Sequence, residues 1–308
     1  MSGRQTQSYL RNLFASRGIA LRHRLGQNFL IDLNLHELLV REAAVESRDV
    51  ILEVGCGAGA LTSLLSERAG AVVAVEVDPR LVALACETLL GKANVRVIET
   101  DALEGKHALS AVLVDQLQAG LAVSADRTLK LVANLPYAIA TPIITNLLVH
   151  PTLRPKVIAV TIQKELAERM AAEPLSPNYS ALSVLVRSLA RVEILRTLPP
   201  AVFWPRPKVD SAIIRITPDP VLRERIMDLS WFHTAIRLLF QHRRKNLRGA
   251  IHAAWGTQLG KPEIDALLDT LGLEIQVRPE ALDSEEYIEL ASALRTRLTD
   301  GARADLSR

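Results

Sequence analysis

Between residues 49 and 218 the chain alternates short apolar, β-branched runs with amphipathic helical stretches, and this alternation restricts the fold more than any other feature. The runs at 49–55, 71–78, 94–101, 128–136, 156–163, 191–198 and 211–218 read as strands. They are apolar almost continuously, so both faces of each strand need cover, which is the situation of a parallel sheet flanked by helices. Helical patterns such as 60–70 and 80–91 close on glycine, where helices commonly stop. Only twelve residues, 199–210, separate the last two runs. That is too short for a crossover helix, so an antiparallel pair and a mixed seven-stranded sheet are expected. After Pro218 and Pro220 the strand signals end, and helices are predicted over roughly 230–254, 262–271 and 284–298. The expected architecture is an α/β domain over 1–220 followed by a small all-helical domain over 221–308.

Composition excludes several classes. With 49% hydrophobic and 23% charged residues the chain is globular. No apolar run approaches the ~20 residues that would span a bilayer, so no membrane association is expected. Cys56 and Cys86 are the only cysteines and have no CxxC spacing. Neither a disulfide framework nor a metal site is expected, and a reducing, cytoplasmic location fits. The lone His107 and His150 read as surface residues, and Cys56 reads as a small packed residue.

The net charge of +3 is unevenly spread. Residues 1–31 hold five arginines and no acid, and residues 231–262 hold five arginines or lysines up to Arg248, then Lys261, again with no acid. Two basic ends suggest a polyanion partner, with solvated faces as the alternative. The acid-free N-terminus also resembles a transit peptide. It runs without a spacer into a motif used below, so 5–16 is read as a helix of the mature protein.

The first strand leads into EVGCGAGALT (53–62), a Gly-rich turn opening a helix. Gly55 and Gly57 there let a ligand approach the backbone, and the helix start offers free N–H groups. The glycines are two apart, unlike the G-x-G-x-x-G of dinucleotide sites. Glu76 ends the second strand, where a carboxylate meets ribose hydroxyls, and Asp101 ends the third, where it could accept from an adenine amino group. Asp78, followed by Pro79, reads as a helix cap. The pattern describes a nucleoside bound without a pyrophosphate, which favours S-adenosylmethionine over a dinucleotide.

The fourth strand ends in NLPY (134–137) at the same sheet edge. The N6 amine of adenine is a poor nucleophile because its lone pair is delocalised into the ring. Asn134 Oδ1 and the Leu135 carbonyl have the chemistry to hold its two N–H groups, Pro136 restrains the backbone, and Tyr137 can stack on the base. Since the leaving group is a neutral thioether, orientation and electrostatics do most of the work. An ordinary strand-ending turn is the alternative for the tetrapeptide alone.

LGQNFLID (25–32), EVGCGAGALT, VEVDPRL (75–81), TDAL (100–103), NLPYAIATPII (134–144) and VFWPRPKVDSA (202–212), in this order, closely resemble the ribosomal RNA adenine dimethylase family, nearest to its bacterial small-subunit type. The resemblance implies a Rossmann-like class I methyltransferase fold and S-adenosylmethionine as cofactor. By the same resemblance Asn28, Leu30, Gly55, Glu76, Asp101 and Asn134 touch the donor, and Phe203 sandwiches the flipped adenine with Tyr137; Trp204 could support Phe203 or simply pack. The implied reaction is N6,N6-dimethylation of two adjacent adenosines in a hairpin loop near the 3′ end of 16S rRNA, in the assembling small subunit, by a monomer. Two segments depart from the family: AEPLSPNYSALSV (172–184) lacks its usual glycines and lysine, and 103–127 is longer than usual.

Loop bases are cheaper to extrude than paired ones, so the RNA reading is physically coherent. Arg243, Arg244, Lys245 and Arg248 lie within about two helical turns and could form one face for phosphates, or else a solvated helix end. The rival readings are a large-subunit rRNA dimethylase of the antibiotic-resistance type, a DNA adenine methyltransferase, and a non-catalytic ribosome-assembly or transcription factor. Asn134, Tyr137 and the donor acids are all present, which favours an active enzyme.

Overall fold

Strands with no polar face to leave in water can only stack side by side under helices, and the apolar runs do so here in one sheet. The computed structural model describes residues 6–22, 26–105 and 108–306, the last stretch as backbone only over 300–306. In chain order the elements begin with α1 (Gln7–Ser16), β1 (Phe29–Leu30), α2 (Leu33–Glu42), β2 (Asp49–Val54), α3 (Ala60–Ser66), β3 (Ala71–Glu76), α4 (Pro79–Thr88) and β4 (Val95–Glu99). Next come α5 (Ala111–Leu121), β5 (Thr128–Asn134), α6 (Ala140–Val149), β6 (Pro155–Gln163), α7 (Lys164–Ala171) and α8 (Ala181–Arg187). The remainder is β7 (Ala190–Leu198), β8 (Phe203–Trp204), β9 (Ser211–Pro218), α9 (Pro220–Glu224), α10 (Leu229–Gln241), α11 (Leu247–Trp255), α12 (Lys261–Thr270) and α13 (Ser284–Leu306). None of the helices is long and apolar enough to cross a membrane, among the described residues.

The seven-stranded sheet has the order β4-β3-β2-β5-β6-β9-β7. Strands β4, β3, β2, β5 and β6 are parallel, and β9 runs antiparallel to β6, so the sheet is mixed as predicted. All seven predicted strands are present. The order doubles back at β2, where β3 and β5 flank it on opposite sides, and this is the reversal point at which open α/β sheets bind ligands. Every residue of β2 is buried, the apolar Val50, Ile51, Leu52 and Val54 together with the acids Asp49 and Glu53. Asp32, Asp78 and Ser110 cap α2, α4 and α5 by accepting from backbone N–H groups two or three residues on. Strands β1 and β8, two residues each, form a separate antiparallel pair that no periodicity could announce.

The chain divides into two compact units, Met1–Ala167 with Val192–Pro218, and Glu168–Arg191 with Asp219–Arg308. Residues 168–191, placed by sequence in the first domain, therefore group with the C-terminal helices. Tyr179 shows why: its ring is buried against Phe240, 6.1 Å away between centroids, and its hydroxyl donates to the Leu282 carbonyl at 2.8 Å. The departure at 172–184 thus surrounds a core residue of the helical unit. A second correction concerns the helix predicted over 230–254, which breaks into α10 and α11. Asn246 interrupts it, adopting extended backbone and accepting at Oδ1 from Gly249 N–H.

At the sheet edge opposite the loops of NLPY and the glycines, Lys130 Nζ lies 2.7 Å from Asp49 Oδ2 and donates to the Ala44 carbonyl at 2.7 Å. Asp49 is fully buried and also accepts from Glu46 N–H and the Thr128 hydroxyl. Ala44, at a left-handed φ of 46°, is thereby held in a conformation that costs a non-glycine residue free energy. Replacing Lys130 by Met would strand a buried carboxylate. Urea denaturation of Lys130→Met is expected to show a loss of about 3–5 kcal/mol, whereas Lys92→Met, at an exposed pair, should change stability by about 1 kcal/mol or less.

Candidate active site

The C-terminal ends of β2, β3, β4 and β5 line one cleft, together with the segment before α2. Its floor is the Gly loop, where Gly55 and Gly57 take φ of 78° and 56°. Two constraints coincide at Gly55: its left-handed backbone, and Pro136, whose Cγ would lie 3.0 Å from any added Cβ. At Gly57 an added Cβ would come within 2.8 Å of the Phe29 ring. The loop is tied to the neighbouring strand by Gly55 N–H donating to the Val75 carbonyl at 2.8 Å.

Glu76 ends β3 and is largely buried. Its Oε2 accepts from Gly57 N–H, and its Oε1 from the N–H groups of Val77 and Asp78, each at 3.0 Å. Burial pushes its pKa up, against the pull of these three donors. A carboxylate offers about four acceptor positions, so Oε1 is saturated and Oε2 keeps one. For the ribose hydroxyls expected at this carboxylate, one strong position therefore remains, on Oε2. Asp78, next along, is structural: it caps α4, binds the Arg80 guanidinium at 2.6 Å and accepts from the Gln27 amide at 3.3 Å. The Arg80 hydrogen bonds hold its carboxyl down to about 2. Asp101 stands exposed at the rim, its Oδ1 accepting from Leu103 N–H at 3.0 Å.

On the other side of the cleft, Asn134 Nδ2 donates to the Asn28 carbonyl at 2.8 Å. That bond fixes which end of the amide is oxygen, and Asn134 Oδ1 is left buried with no partner. Leu135 N–H donates to the Thr161 carbonyl at 3.1 Å, and the Pro136 carbonyl accepts from Ile139 N–H at 3.1 Å, turning the chain into α6. Tyr137 is half-buried in the cleft wall, its hydroxyl 2.6 Å from Ser211 Oγ, and burial raises its pKa. Asn28 and Leu30 line the same cleft.

The structure does not bring Phe203 to this wall. Its Cα pairs with that of Leu30 in the β1–β8 ladder, and its ring is buried in the core among Leu30, Leu35 and Leu39. Neighbouring side chains on a strand point to opposite faces. Trp204 accordingly packs the other way, 5.6 Å from Phe14 and 6.4 Å from Phe29 between ring centroids. Of the basic residues, Arg243, Arg244 and Lys245 are exposed in the turn between α10 and α11 and have no acidic partner among the described residues. Arg248 is instead engaged with Asp265 at 3.1 Å, which removes it from the free basic set.

Two cleft residues had no role in the sequence reading. Glu53, inside the glycine motif, is buried; its Oε2 has no partner, and burial pushes its pKa up to about 8. His36 on α2 is buried with Nδ1 unpartnered, and burial pulls its pKa down to about 4. Glu53 could have been noticed as an acid directly before the loop, but His36 belongs to no motif. His150 proves to be a local stop, with Nδ1 accepting from Leu153 N–H at 3.0 Å, while His107 lies outside the described residues.

Comparison with known proteins agrees with this geometry. The family model for ribosomal RNA adenine dimethylase matches residues 18–295. A ribosomal RNA small subunit methyltransferase A of Levilactobacillus brevis is 41% identical over 270 residues, covering 87% of this chain and 88% of the relative. Its counterpart in Halothermothrix orenii is 36% identical over 278 residues, covering 90% and 89%. Among solved structures, a dimethyladenosine transferase from Plasmodium falciparum superposes with a TM-score of 0.72 at 24% identity, covering 86% of this chain and 97% of that one. The 23S rRNA methyltransferase ErmE superposes with a TM-score of 0.61 at 23% identity, covering 87% and 99%, and both likenesses concern the fold. A mixed seven-stranded α/β sheet, a glycine-floored cleft and an asparagine oriented at its wall, in a chain matched over nearly its whole length, make this protein a member of the ribosomal RNA adenine dimethylase family, an rRNA adenine dimethyltransferase.

Proposed function

We propose that the cleft binds S-adenosylmethionine and that the protein dimethylates N6 of two adjacent adenosines in a hairpin loop near the 3′ end of 16S rRNA, acting as a cytoplasmic monomer on the assembling small subunit. The observation that carries the reading is Asn134 Oδ1, a buried acceptor with no partner, on a cleft-lining residue whose Nδ2 is held by the Asn28 carbonyl. Such an atom suits an amine whose two hydrogens need holding. The name shared by the two bacterial relatives supports the small-subunit substrate.

The residues present suit the donor. Glu76 Oε2 retains an acceptor position suited to a ribose hydroxyl, the exposed Asp101 carboxylate at the cleft rim suits an adenine amino group, and Gly55 and Gly57 carry no side chain. When bound, the donor supplies an electrophilic methyl group on a sulfonium. Asn134 Oδ1 and the Leu135 carbonyl then hold the target amine, and its lone pair is freed from the ring as the nitrogen becomes tetrahedral. Tyr137, anchored through Ser211, offers its ring to the base. No side chain has to remove the proton before transfer, because the alkylated amine is acidic enough to release it afterwards. Arg243, Arg244 and Lys245 supply phosphate contacts.

The test is labelled-methyl transfer to small subunits lacking dimethyladenosine, set against large-subunit RNA and duplex DNA. Labelling of the latter two with small subunits left blank would overturn the assignment. Asn134→Ala is expected to lower transfer by about 10²–10³-fold while RNA affinity stays near wild type. Tyr137→Phe, which keeps the ring, should lose much less than Tyr137→Ala, for which about 1–3 kcal/mol of base stacking disappears. Exchanging both Arg243 and Arg244 for Ala should flatten the dependence of log affinity on log salt by about 0.7–0.9 for each phosphate no longer neutralised. Arg248→Ala should barely alter that slope, since its charge is already spent on Asp265.

A further inference from the structure

His36 stands on α2, where its buried companions Leu35, Leu39 and Val40 are aliphatic. A leucine there would satisfy the packing without leaving a nitrogen dry. Instead the imidazole lines the cleft, is more than nine-tenths buried, and keeps Nδ1 without a hydrogen-bond partner. Unmatched buried polar atoms are uncommon because each forfeits its hydration. A residue that lines a ligand cleft and keeps such an atom has a natural complement in the ligand.

The chemistry of the surroundings selects which part of a ligand that is. Glu53 lines the same cleft with Oε2 also unmatched, and Glu76 stands beside it. A cationic donor group here offsets the burial that otherwise keeps Glu53 protonated, so it is the ligand charge that these two carboxyl groups favour. A neutral imidazole protonated on Nε2 presents Nδ1 as a further acceptor. S-adenosylmethionine carries one group that is both positive and rich in N–H donors, the α-ammonium of its methionine half. We propose that His36 is a donor-binding residue whose Nδ1 accepts a hydrogen bond from that α-ammonium, with Glu53 Oε2 as a second acceptor. The inference rests on the S-adenosylmethionine reading of the cleft given above.

Isothermal titration with S-adenosylhomocysteine, and with 5′-methylthioadenosine, which lacks the amino-acid half, tests it directly. His36→Leu is expected to weaken S-adenosylhomocysteine binding roughly tenfold or more while leaving 5′-methylthioadenosine binding at the wild-type level. His36→Asn, whose side-chain oxygen can take the place of Nδ1, should recover most of the loss. His36→Ala, which merely leaves space, carries the same expectation as His36→Leu and covers the case in which the leucine variant does not fold. Unchanged S-adenosylhomocysteine affinity in His36→Leu or His36→Ala would overturn the proposal, and so would an equal loss for both nucleosides, the mark of a packing role. A wild-type protein that binds neither nucleoside would overturn the S-adenosylmethionine reading itself.

Discussion

The contact between Gly55 and Pro136 sets the geometry on which the rest of the first unit depends. β2 and β5 are adjacent parallel strands, so the loops at their C-terminal ends leave the sheet side by side, about 4.8 Å apart. At that spacing one loop must lack a side chain for the other to carry a proline ring: a Cβ added at Gly55 would lie only 3.0 Å from Pro136 Cγ. The glycine side faces the acids of β3 and β4, and the proline side carries Asn134 and Tyr137. The packing of Gly55 against Pro136 therefore sets the two sides of the cleft next to one another.

The cleft departs from the rule that buried polar groups are paired. Asn134 Oδ1, Glu53 Oε2 and His36 Nδ1 all lack partners in one place. Each such atom costs on the order of 1–3 kcal/mol. The cost is concentrated beside β2, the most completely buried strand of the sheet, where the surrounding core can hold the groups in position. Asp78 shows the opposite arrangement: every strong acceptor position on it is used, by Arg80, Gln27 and the start of α4, and it acts as a fastener for the chain around the cleft. Two acids separated by one residue, Glu76 and Asp78, thus have different tasks because of what their neighbours donate.

The helical unit follows a simpler logic. Its centre is a run of rings, Tyr179, Phe240 and Tyr287, with both tyrosine hydroxyls donating to backbone carbonyls. Between α10 and α11 Arg243, Arg244 and Lys245 fall on an exposed turn and form no ion pair among the described residues. A continuous helix through 242–246 would have spread those charges around its circumference. The Asn246 cap gathers Arg243, Arg244 and Lys245 into one exposed turn instead.

The seven strands, their mostly parallel order and the ligand edge were legible in the sequence, because apolar periodicity and crossover length are local properties. The glycine loop, Glu76, Asp101 and NLPY were legible for the same reason: each lies at a strand end, and strand ends can be counted. What tertiary structure alone decided is the state of each group once assembled. Phe203 turned inward because its partner across a two-residue ladder is Leu30, and Arg248 was taken up by Asp265 of another helix. His36 entered the cleft because α2 packs beside β5 and β6, a relation with no trace in the residues around it. The sequence by itself determined which chemistry stands at the ends of the strands. Only folding decided which of those atoms remain unpaired, since hydrogen-bond satisfaction and burial are set by residues far away along the chain.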